Sequence, residues 1–125
     1  MPRAAAPTPE QPISRAVLLD ARFEQVMAAQ RVEVREIRIL AGHAAGAHIH
    51  NGPVVGSIVE GSAIYQIEGQ PACALKPGDV FFEPEGARIA RFDATDEGVT
   101  FLGYFILAAD EEPQITFPDP VQEAV

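Results

Sequence analysis

The chain has 125 residues, 47% of them hydrophobic, with a formal net charge of −9 and only nine Lys plus Arg. That is room for one domain with one packed core, and the apolar content argues against wholesale disorder. The acidic balance and the lack of a basic stripe argue against nucleic acid or an anionic membrane as a partner.

Eleven Pro and ten Gly are spaced along the chain, which favours many short strands with turns over a few long helices. Residues 1–12 carry Pro2, Pro7, Pro9 and Pro12 and read as a flexible Ala/Pro-rich tail. A barrel domain is expected over 13–110, opening with a short strand at 16–19. Phe23, Val26 and Met27 recur at helical spacing, so 20–31 could hold a helical turn. Over 32–40, Val32 and Val34 alternate with charges, then Ile37 and Ile39 do, which predicts a strand with a phase slip near Glu36. After a turn of small residues at 41–46 come His48 and His50, then strands at 54–59, 63–67, 72–75, 80–83, 88–92 and 99–107. Turn residues such as Gly61, Gly69, Gly78 and Gly86 separate them, and 93–98 reads as an acidic loop. From 111 the chain reads as an acidic, Pro-containing tail. Turns about every eight residues argue for a closed barrel or sandwich.

The single cysteine, Cys73, is expected as a small buried residue on a strand, and fits a reducing compartment. No secretory segment is evident, and the longest apolar stretch, 101–109, is too short to span a bilayer. The expected setting is cytoplasmic.

The strongest signal is spacing. Gly42, His48, His50 and Gly61 fall at the intervals of G-x5-H-x-H-x3-E-x6-G, and Gly78, Pro84 and Gly86 at those of G-x5-P-x-G-x2-H-x3-N. On these residues the chain resembles the cupin superfamily over roughly 33–107. The resemblance implies an all-β fold, a small antiparallel barrel or double-stranded β-helix of the jelly-roll type, with six to eight strands. It also implies a pocket for a small-molecule ligand and commonly a homodimer. Independently, His-x-His on a strand turns both imidazoles to one face, so that both can reach one ion.

Three family positions depart from the pattern, two of them metal ligands in the family. The first-motif Glu position is Val54, the second-motif His position is Ile89, and the final Asn position is Asp93. Of the family's three-His, one-Glu site for iron, manganese, nickel or zinc, only His48 and His50 are carried over. Two imidazoles alone hold a divalent ion weakly, so metal is expected to be weak or absent. His43 lies in a turn and reads as solvated. On the family's strand phase Glu83 faces the interior, and alternation puts Arg91 on the face of Ile89, where the two could pair. A local phase error would leave both at the surface. Tyr65 shares the inward phase of Ala63 and Ile67, as a core residue or a pocket hydroxyl.

Three functions stay open. One is a small-molecule binding protein with a degenerate metal site. Another is a metal-dependent enzyme of dioxygenase or isomerase type using His48, His50 and Glu83. The third is a metal-free acid–base enzyme with an imidazole as base and Glu83 or Tyr65 as its partner. No catalytic residue is assigned.

Overall fold

The computed structural model describes residues 3–118, and among them there is no helix. Seven strands follow in order: β1 (Arg31–Ile39), β2 (Ile49–His50), β3 (Val54–Ile67), β4 (Cys73–Leu75), β5 (Val80–Glu83), β6 (Ile89–Leu107) and β7 (Ile115–Thr116). The larger sheet runs β1-β6-β3-β4 with β5 also on β3, and the smaller pairs β2 with β7. Every pairing is antiparallel. This is the expected all-β barrel.

Two strands are longer than the turn residues suggest. The break expected at Glu60-Gly61 is a bulge inside β3, with register shifts against β6 between Ile58 and Glu60 and between Gly61 and Ala63. Gly61, at φ 72°, lies so close to the facing chain that an added Cβ would sit 1.9 Å from the Gly98 carbonyl oxygen. Only glycine tolerates both demands. The acidic stretch 93–98 is likewise strand, the bent middle of β6.

β1 pairs with β6 without interruption from Arg31 to Ile39, so no phase slip occurs near Glu36. Ile37 and Ile39 turn to the core and share their face with Arg31, Glu33 and Arg35. Val32 and Val34 lie on the outer face, 59% and 53% exposed. Charge on the inner face at the open end of the barrel is what made the two halves look out of phase. Residues 13–30 form neither the expected strand at 16–19 nor a helical turn at 20–31. Instead Phe23 stacks on Phe82 outside the barrel, with ring centroids 6.0 Å apart. Cys73 sits on β4 but is exposed. The segment read as a tail from 111 contributes β7, while 119–125 lies outside the described residues.

The main core gathers Ile58, Tyr65, Phe81, Ile89, Phe92 and Phe101, with a smaller cluster of Val54, Phe105 and Leu107 beside it. Phe81, Phe92 and Phe101 pack tilted or edge-on, with Phe92 and Phe101 centroids 4.8 Å apart. That geometry suits the ring quadrupoles.

Candidate metal centre

β2 is short, but it is held at both ends of its His-x-His. The backbone N–H of Ile89 donates to the His48 carbonyl at 2.8 Å, and the His48 N–H donates to the Ile89 carbonyl at 3.0 Å. The Gly86 N–H donates to the His50 carbonyl at 3.1 Å. Alternation then sends both imidazoles inward, with ring centroids 5.0 Å apart and planes crossing at 82°. His50 meets the edge of Phe105 at 6.1 Å between centroids.

Glu83 ends β5 with its side chain inside, and it is only 4% exposed. Its two oxygens meet two different imidazoles. Oε1 lies 3.6 Å from His48 Nε2, and Oε2 contacts His50 Nε2 directly. The ligating atoms of His48, His50 and Glu83 all lie within 4.8 Å of one another. No buried side-chain nitrogen or oxygen among the described residues lacks a hydrogen-bond partner.

The register explains where the carboxylate comes from. Val54, which holds the first-motif Glu position, is directly opposite Glu83 across the β3–β5 pair. Side chains directly opposite on one face stand about 4.5–5.5 Å apart at Cβ. Glu83 therefore stands one strand to the side of Val54, on the same interior face. Ile89, in place of the second-motif His, is fully buried and packs in the core.

His48 Nδ1 lies 2.8 Å from the Gly46 carbonyl oxygen. A carbonyl can only accept, so Nδ1 carries the proton and Nε2 is left to face the cluster. Burial pushes the His48 pKa down, but the hydrogen bonds to Glu83 and Gly46 and the Glu83 charge outweigh it and hold the imidazole above its ordinary value. For Glu83, burial pushes upward, and hydrogen bonds and positive charge from His48 and His50 outweigh it, leaving the carboxyl below its ordinary value.

The remaining expected site residues separate. Tyr65 is buried among Phe81 and Phe92, and its hydroxyl donates to the Phe82 carbonyl at 2.5 Å. Burial first, then the Glu83 charge, raises its phenol well above the ordinary range. It is a core residue with its one proton committed. Arg91 is exposed and pairs with Asp93 at 2.8 Å, so the expected interior pair with Glu83 does not form. The reason is local. Gln66 pairs with Arg91 but Ile67 pairs with Ile89, so Ala90 is an extra residue. A bulge there breaks the period of two and turns Arg91 outward. His43 is exposed, as its turn position implied.

No protein-family model and no curated protein matches the chain. Solved structures do. The DMSP lyase DddQ from Ruegeria pomeroyi is 25% identical with TM-score 0.62, over 71% of this chain and 45% of that one. A cupin-like protein from Thermotoga maritima is 24% identical with TM-score 0.57, over 66% and 62%. The oxalate decarboxylase of Bacillus subtilis, a protein with Mn(II) centres, is 23% identical with TM-score 0.57, over 64% and 22%. The chain thus spans less than half the length of the lyase and under a quarter of the decarboxylase. These likenesses are of fold, and one of the three proteins holds Mn(II) centres.

Proposed function

Taking the chain as a small cupin by its fold, we propose that it is a divalent-metal cupin whose ion is held by His48, His50 and Glu83. The carrying observation is the convergence of three donors of two kinds within 4.8 Å, His48 and Glu83 buried and His50 half-buried. Two imidazoles and one carboxylate suit iron(II), manganese(II) or a related ion and leave coordination positions open. The ion would supply a Lewis acid at which a small molecule with an oxygen donor can bind. The Gly46 carbonyl fixes the His48 tautomer that such a role requires. Glu83 would stay ionised, and the aromatic core behind it would exclude water from one side. Chemistry on a small molecule at a metal centre fits this arrangement, as the oxalate decarboxylase of similar fold carries Mn(II) centres. The ligand itself is left open by the residues in the pocket.

Metal analysis of protein purified without a His tag tests the reading. Stoichiometric iron, manganese, nickel or zinc is expected in the wild type, with a large loss in Glu83→Gln and none bound in the His48→Ala, His50→Ala double variant. The paired exchange Val54→Glu with Glu83→Val should recover binding, because it returns the carboxylate to the family position on the same face. Wild-type protein that takes up no ion after dialysis against each metal would overturn the proposal.

The direct contact of Glu83 with His50 favours a second reading, a metal-free acid–base site. It would be marked by activity on a small molecule that survives a strong chelator and is lost in Glu83→Gln.

A further inference from the structure

His48 and His50 are not held alike. His48 is locked by two backbone bonds to Ile89 of β6, a core residue. His50 has the Gly86 N–H on one side, and on the other it depends on β7, where Ile115 is its register partner. Beyond its pairing with β2, the segment leading into β7 is docked by one side chain, Asn51. The Asn51 amide nitrogen donates to the Glu112 carbonyl at 3.0 Å and to Glu111 Oε2 at 3.4 Å. Its amide oxygen accepts from the Gln114 N–H at 2.9 Å. The Asn51 backbone N–H also donates to the Gln114 carbonyl at 3.2 Å. Arg31, at the start of β1, adds a donation of 2.7 Å to the Glu111 carbonyl and an ion pair of 3.4 Å with Glu112. Apolar burial adds little, since Ile115 and Phe117 are 47% and 54% exposed. A segment held by polar contacts at the surface opens at low free energy compared with the core.

We propose that residues 111–116 form a strap that positions His50 in the metal centre, and that Asn51 is the positioning residue that docks it. The inference rests on the metal reading for its consequence, but its structural content is independent of any ion. With the strap docked, β2 has strand neighbours on both edges and the His50 ring is aimed at Glu83. With the strap released, the His50 backbone keeps only the Gly86 bond and its ring is held by Glu83 and Phe105 alone, while His48 keeps its place on β6. The strap therefore acts on one ligand of the three. Loss of an outer contact that orients a ligand typically costs about 10–100-fold in metal affinity.

The test uses the full chain carrying Asn51→Ala, with a second variant ending at Asp110 and a control ending at Pro118, which keeps the strap. The chain has only three histidines, so each imidazole can be followed in long-range proton–nitrogen spectra at fixed pH. In Asn51→Ala and in the shorter chain the His50 signals should move towards those of exposed His43, while the His48 signals stay in place. Cobalt(II) affinity, read from its visible spectrum, should fall at least about 10-fold in both. The control should match the wild type in both measurements. If His48 and His50 move together, or neither moves, the strap inference is wrong. If the wild type binds no cobalt(II), the metal reading fails, and the imidazole spectra still decide the strap.

Discussion

Glu83 keeps its charge in the barrel because two imidazoles face it, and that balance sets a pH signature. Its carboxyl lies below the ordinary 4.5, so its contribution is complete above that pH and is lost as the pH falls through the lowered value. His48 lies above the ordinary 6.5, so its contribution is complete below 6.5 and is lost as the pH rises through the raised value. Metal-free protein should therefore gain most from this cluster between pH 4.5 and 6.5. The melting temperature of chelator-treated wild type, minus that of Glu83→Gln, should peak in that window. Added metal should reverse the upper arm, because ligation needs neutral imidazole and so strengthens with pH. A flat difference curve would mean that the three groups do not interact. At this scale the imidazole pair was legible, since a period of two is a property of one strand. Alternation also put Glu83 on the face of Phe81, but that this face is the inner one came only from the family's strand phase. That Glu83 stands across from Val54 was not legible, because the register between β3 and β5 belongs to neither strand alone.

At the scale of the strand, glycine decides how closely the aromatic core approaches the sheet. Gly56 on β3 lies under the Phe81 ring, and an added Cβ would come within 2.1 Å of Phe81 Cζ. Both are inward and opposite one another in register. Gly56→Ala should thus destabilise by about 1–3 kcal/mol through overpacking. The cost should shrink in a Phe81→Leu background, where the ring is gone. Chemical denaturation of the two single variants and the double variant checks this, and strictly additive effects would show that the ring is not the obstacle. Turn residues marked the elements well where the chain truly reverses, as at 76–79, where the Lys76 N–H donates to the Asp79 carboxylate at 2.9 Å and Gly78 has φ 88°. They misled where glycine serves a bulge. Gly61 and Gly98 face each other inside continuous strands, and a lone glycine reads the same in a turn and in a bulge. The same limit hid the extra residue at Ala90, and with it the outward turn of Arg91.

For the whole molecule, β1 is the exposed flank. It ends the sheet order, and among the described residues it has no second strand neighbour. An edge strand of nine residues with free backbone groups invites pairing. Its outer face carries Val32 and Val34 beside Ile106 and Tyr104 of β6, an apolar patch that no described segment covers well. The strand is also self-complementary. An antiparallel copy centred on Val34 sets Val34 against Val34 and Glu33 against Arg35, which favours a twofold dimer. We therefore expect a homodimer built on β1. Light scattering should give a dimer at micromolar concentration for the wild type. Val34→Lys should give a monomer with an unchanged circular dichroism spectrum, because this side chain is outside the core. The metal content of that monomer should match the wild type, since His48, His50 and Glu83 all project inward on other strands. A wild type that stays monomeric would remove the dimer altogether. A Val34→Lys protein that still dimerises would move the contact to another face, with the groove beside Phe23 and Phe82 the next to mutate.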